Sequence, residues 1–109
     1  IAAVARLGND FYIGTYGAGI LRFDAAGRWQ AFPDLPPIVV NPNALVAYGD
    51  CVYAGSLGQG LWKYSLAANR WTNLVRGLPS SNVTAVAAAG GYVLAGTDNG
   101  VIRIPENAL

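Results

Sequence analysis

The chain has 109 residues, enough for one domain, and its 7 Lys and Arg against 6 Asp and Glu leave a net charge of +1, which lacks the basic footprint of a nucleic-acid binder. Hydrophobic residues make up 53% and charged residues 12%, against about 25% charged in an average soluble domain, so part of the surface is expected to face a partner. The absence of His removes the commonest general base and metal ligand, the lone Cys51 cannot form an internal disulfide, and no apolar run reaches the roughly 18 residues of a membrane span.

In chain order the apolar segments are short and they repeat. The first unit holds Ala3-Val4-Ala5, then Phe11 to Gly14, then Ile20-Leu21-Arg22-Phe23, then a segment at Trp29. The second holds segments at about 44–48, 51–56, 61–65 and 70–74. The third holds Ala85-Val86-Ala87, Val93 to Gly96 and Val101-Ile102-Arg103-Ile104. Gly8, Gly49 and Gly90 coincide at an offset of 41, as do Phe11, Val52 and Val93, and Gly14, Gly55 and Gly96. The third copy has lost one loop residue before its Val101 segment.

These segments are too short for helices and rich in Val, Tyr, Trp and Ile, so they read as strands punctuated by Gly, Asn and Asp. Four strands in a unit of about 40–45 residues is the pattern of a β-propeller blade. Leucine-rich and hexapeptide repeats are much shorter, and helical repeats need amphipathic stretches that this chain lacks. The expected fold is all-β: a propeller segment of about 2.75 four-stranded antiparallel blades, eleven strands, with units at approximately 1–41, 42–82 and 83–109. The first strand of each unit is small-sided ("AAVA", "ALVA", "AVAAA"), as a crowded centre requires. Bulk sits further out, at Trp29, Trp62, Tyr64 and Trp71.

The stretch 77–104, "GLPSSNVTAVAAAGGYVLAGTDNGVIRI", resembles the two-component regulator propeller repeat at Gly77 to Ser80, Asn82 to Thr84, Gly96-Thr97 and Gly100. Gly14-Thr15 and Gly55-Ser56 extend the likeness over nearly the whole chain, although Tyr12, Tyr53 and Leu94 stand where that family usually has Trp. Residues 61–74 have a kelch-like flavour without the kelch Gly-Gly pair. The resemblance implies a sensory or ligand-recognition module, periplasmic or extracellular, often within a longer protein, and it implies no catalytic residue.

Propellers close with about 4–8 blades, so three units are expected to complete a ring with other blades. Those come either from identical chains, two copies giving six, or from the rest of a longer chain. The start at Ile1 and the end after a third strand suggest the C-terminal part of a larger propeller. Either way the two flanks would expose apolar faces.

Loops joining strand two to three, and strand four to the next strand one, share the end that usually binds ligands. There the expected contributors are Tyr16, Asp34, Asn41, Arg76, Asn82, Asp98 and Asn99, a mixture suited to a saccharide or small polar solute. Each is also an ordinary turn residue. Asn99-Gly100 is a hairpin signal of type I′. Asp98 has no counterpart in the other copies, and one carboxylate does not bind calcium, so no metal or cofactor is expected. Arg22, Lys63 and Arg103 form a column whose stems are expected to cover apolar edges. A glycosidase needs two carboxylates about 5–10 Å apart, and no Asp or Glu pair is indicated. The function expected is non-catalytic recognition or scaffolding. The alternative is a propeller hydrolase or lyase whose catalytic residues come from other blades.

Overall fold

The computed structural model describes all 109 residues. The chain is all-β. Its strands are β1 (Ala3–Leu7), β2 (Asp10–Gly14), β3 (Ile20–Phe23), β4 (Trp29–Ala31), β5 (Val40–Tyr48), β6 (Cys51–Ser56), β7 (Leu61–Ser65), β8 (Arg70–Leu74), β9 (Val83–Ala89), β10 (Tyr92–Thr97) and β11 (Gly100–Pro105), followed by a 3₁₀ turn over Glu106–Ala108. They form three separate antiparallel sheets in chain order: β1-β2-β3-β4, β5-β6-β7-β8 and β9-β10-β11. Each sheet is a meander, because tight turns at Gly8, Gly49 and Gly90 send every second strand back beside the first. These three glycines have φ near +60°, a conformation that costs Gly nothing and other residues much. The first strands of consecutive sheets pack side by side, β1 on β5 and β5 on β9.

Side chains alternate across a strand, and the register turns that alternation into a stacking rule. In the first sheet Ala5, Tyr12 and Arg22 are cross-strand partners and point toward the second sheet. Phe11, Phe23 and Trp29 are partners on the opposite face. In the second sheet Val52, Tyr64 and Trp71 are partners that point back at the first sheet, while Tyr53 and Leu61 look toward the third. In the third sheet Val93 and Ile104 point back at the second. Every sheet therefore has a forward face and a rear face, and each junction seats a forward face on a rear face.

Two cores result. Between the first and second sheets lie Tyr12, Ile20, Ile38, Val40, Val52, Ala54, Tyr64 and Trp71. Between the second and third lie Ala44, Tyr53, Leu61, Val83, Val86, Val93, Ala95 and Ile104. Each fully buried large side chain contributes about 1.5–3 kcal/mol. The repeated Gly-Thr or Gly-Ser phrase is explained by the same junctions. A Cβ on Gly14 would stand 2.7 Å from Val40 Cγ1, and one on Gly55 would stand 2.6 Å from Val83 Cγ1. The next sheet's first strand crosses too closely for any side chain. The hydroxyl that follows pins the turn: Thr15 Oγ1 donates to the Gly19 carbonyl at 2.8 Å, Ser56 Oγ to Gly60 at 2.9 Å and Thr97 Oγ1 to Gly100 at 2.8 Å.

The β10–β11 hairpin forms as expected, but its turn is not type I′. Only Gly100 has positive φ, and Asn99 does not. Thr97 Oγ1 accepts the Asn99 amide at 3.1 Å, and this local bond holds the turn without left-handed backbone at Asn99.

Candidate functional site

The strand-two-to-three and strand-four-to-one connections meet at one end of the stack. The Gly19 amide donates to the Ile38 carbonyl at 3.1 Å, the Val40 amide to Thr15 at 2.9 Å and the Gly60 amide to Ser81 at 2.8 Å. Tyr16 forms an isolated bridge with Val39 through its backbone, leaving its ring in solvent. Asn41 and Asn82 are brought together: Asn41 Nδ2 donates to Asn82 Oδ1 at 3.1 Å and to the Val83 carbonyl at 2.6 Å. This pair ties the second sheet to the third at the inner rim. Arg76, Asp98 and Asn99 are exposed at the same end.

Asp34 stands apart from these six. The chain leaves the short β4 early and crosses to the outer edge of the second sheet, where Asp34 Oδ2 accepts the Trp71 amide at 2.8 Å. Trp71 pairs with Tyr64 near the opposite end of its sheet. The carboxylate thus caps the outer strand of the neighbouring sheet, and the repeat gave no sign of it because β4 is two residues shorter than β8.

The rest of the electrostatics is structural. Asp24 accepts the Arg28 amide at 2.9 Å, the Ala26 amide at 3.0 Å and the Gln30 side chain, holding the β3–β4 turn. The Arg28 amide chiefly holds its carboxyl below the usual range. Burial pushes the Tyr12 and Tyr53 phenols upward. The basic column divides by surroundings: Arg22 bonds Gln30 and lies 5.5 Å from the Phe32 ring centre, Lys63 Nζ donates to the Leu109 carbonyl at 3.0 Å, and Arg103 lies 4.4 Å over Tyr92. No cluster of three or more His, Cys, Asp or Glu side chains is placed to hold a metal ion.

Two depressions exist, one at the β9–β10 turn and one along the outer edge of the second sheet. An open one of about 620 Å³ is lined by Lys63, Gly90, Gly91, Tyr92, Pro105, Glu106, Asn107 and Leu109. A narrower one of about 230 Å³ runs between β7–β8 and the C-terminal turn, lined by Leu61, Lys63, Thr72, Asn73, Leu74, Ala108 and Leu109. Sequence reasoning missed both, because they arise where the third sheet stops at β11 and residues 106–109 fold back over the second sheet. The only sequence signal was the missing fourth segment of the third unit.

The two outer faces of the stack carry exposed apolar side chains. Phe11 on the rear face of the first sheet is 42% exposed, whereas Val52 and Val93, its counterparts in the repeat, are fully buried. Val101 on the forward face of the third sheet is 70% exposed, whereas Ile20 and Leu61 are buried. Trp29 is exposed beside Phe23, while Trp71 at the equivalent position is buried.

No family model matches the chain, and no curated protein matches it. Among solved structures, the chain is similar to the computationally designed Ika4 protein, with a TM-score of 0.76 at 16% identity over 94% of this chain and 64% of that one. It is similar also to the computationally designed Ika8 protein, with a TM-score of 0.71 at 17% identity over 94% of this chain and 32% of that one. The chain thus spans less than two thirds of the length of either. Both neighbours are designed proteins rather than two-component regulator propellers. At these identities the likeness concerns fold alone, and the repeated antiparallel sheets give the chain a β-propeller-like character.

Proposed function

We propose that the chain is a non-catalytic recognition or scaffold module, a β-propeller segment of about 2.75 blades that completes its ring with further blades. The observation that carries this reading is the pair of outer faces, where Phe11 and Val101 are exposed at positions the other units bury. Apolar side chains left exposed together on one face are the signature of an interaction surface. The partial coverage of longer structural neighbours agrees with a body that belongs to a larger array. The recognition surface is the loop end, where Tyr16, Arg76, Asp98 and Asn99 keep their side chains in solvent around the Asn41–Asn82 clasp. An aromatic ring, a guanidinium, a carboxylate and amides suit a saccharide or another small polar solute.

The test is a thermal-shift screen with oligosaccharides and short polar peptides. A ligand present at 100 times its Kd is expected to add about 2.7 kcal/mol of stability, and Tyr16→Ala or Arg76→Ala is expected to abolish the shift. No shift with any compound, or a shift that both variants retain, contradicts the recognition surface.

A further inference from the structure

The geometry points to a second copy of this chain as the partner that covers the outer faces, seated head to tail: the rear face of one copy's first sheet on the forward face of the other's third sheet. This inference rests on the ring-completing reading above and names the occupant.

Three observations converge on it. First, both internal junctions join a forward face to a rear face, and the three sheets leave one uncovered face of each kind. The free faces are the two halves of a contact that the molecule already makes twice. Second, both halves keep the chemistry of the buried copies. Leu94 and Val101 stand where Tyr12 and Ile20 pack in the first sheet. Phe11, Phe23 and Trp29 stand where Val52, Tyr64 and Trp71 pack in the second.

The third observation is Gly96. Gly14 and Gly55 are glycines because Val40 and Val83 of the following sheet cross within 2.7 Å of where a Cβ would stand. Gly96 occupies the same place, its φ is not positive, and its nearest atom to a Cβ is Ala85 Cβ at 3.6 Å, an ordinary contact within its own sheet. Nothing inside the chain requires glycine there, and a following sheet would. The residue that repeats Val83 at the start of the first sheet, 82 positions earlier, is Ile1, which is 83% exposed. In a head-to-tail pair Ile1 of one copy seats on Gly96 of the other.

A contact between two different patches generates a closed ring or an open fibre, depending on the rotation. With three sheets per copy, the only multiple that falls within the roughly 4–8 blades of a closed propeller is two copies. The pair is then two-fold symmetric with two equal junctions and no free face.

The test uses the full chain and two variants at exposed positions that no core needs, Phe11→Asp and Val101→Asp. Native mass spectrometry and sedimentation of the wild type are expected to give twice 11.4 kDa. Each variant alone is expected at 11.4 kDa with an unchanged strand spectrum. Mixed in equal amounts, the two variants are expected to regain a dimer through the one junction that remains intact. A variant that dimerises by itself, or a mixture that stays monomeric, overturns the head-to-tail contact. A monomeric wild type overturns it as well. If that monomer binds an apolar dye at its end faces, the ring-completing reading stands with other blades as partners. If it unfolds cooperatively without binding dye, that reading falls too.

Discussion

The junction between the first and second sheets and the junction between the second and third follow the same register, yet they are filled differently. The first is aromatic and reaches the outer rim. Tyr12, Phe32, Tyr64 and Trp71 form a cluster with ring centres 5.0–6.1 Å apart, and Asp34 fastens the β4–β5 connection to the edge of β8. The second is mainly aliphatic and stops short of the rim, with Leu61, Val83, Val86, Val93, Ala95 and Ile104 around the single buried ring of Tyr53. Its outer part is covered by the C-terminal turn, through Lys63 Nζ on the Leu109 carbonyl. A fourth strand and the connection that follows it are what deepen a junction. The third sheet has neither, so its junction is expected to be the shallower of the two at the outer edge.

Deleting large side chains should expose this asymmetry most strongly. Trp71→Ala is expected to cost about 3–5 kcal/mol and Ile104→Ala only about 2 kcal/mol, since the latter site borders the open rim and can relax. Equilibrium urea unfolding of both variants measures the difference. Equal costs would mean that the two junctions are equally deep.

The repeated glycines at positions 14, 55 and 96 separate covered from uncovered faces. Gly55→Ala forces the Val83 strand away and is expected to cost about 1–3 kcal/mol. In dilute solution Gly96→Ala is expected to be neutral or to stabilise by about 0.4–1 kcal/mol through the unfolded chain. At concentrations where copies associate it should instead weaken the association. Thermal midpoints of both variants over a concentration series check this.

One buried tyrosine from each junction sharpens the comparison further. Tyr64 Oη donates to Asn69 Oδ1 at 2.6 Å in the first junction, whereas Tyr53 Oη in the second has no protein partner. Tyr64→Phe is therefore expected to cost about 0.5–1.5 kcal/mol and Tyr53→Phe to be near neutral. Removing the Tyr53 phenol also removes a proton that burial holds above the usual tyrosine range. That group's contribution is complete below about pH 10 and is lost as pH rises beyond it, so Tyr53→Phe should flatten the alkaline loss of stability.

The smallest effect belongs to the rim of the first sheet. The folded-state pKa of Asp24 is depressed, so its contribution is present above roughly pH 3.9 and is lost as pH falls through the lower folded value. Asp24→Asn should remove this part of the acid limb in a pH series of thermal midpoints, and leave the range above pH 5 flat.

Much of the architecture was legible from the repeat. Strand positions, the small inner strands and the turn glycines follow from local chemistry that recurs at an offset of 41, so each copy supports the others. What escaped notice depends on neighbours rather than on the repeat. Trp29 and Trp71 share a position, but only the sheet in front of Trp71 buries it. Asp34 looked like a loop-end residue because its role comes from the shortness of β4 and a partner 37 positions away. Asn41 and Asn82 were each legible as loop-end residues, although their mutual bond makes them a clasp before anything else. Asn-Gly at 99–100 suggested one turn type, and the Thr97 hydroxyl imposed another. The two depressions arise from the fold-back of residues 106–109, whose sequence carries no repeat pattern.

The central claim is that the third sheet's forward face is the unfilled half of a junction the chain makes twice internally. Disulfide trapping tests it most directly, with Ile1→Cys and Val101→Cys, the cross-strand partner of Gly96 on the same face, placed together in a Cys51→Ala background. Under mild oxidation the account predicts a covalent species of twice 11.4 kDa that reverts on reduction, and none when Ile1→Cys is combined with Leu66→Cys, at an exposed position, in place of Val101→Cys. Oxidation that leaves only 11.4 kDa chains, or that cross-links both cysteine pairs alike, would contradict it.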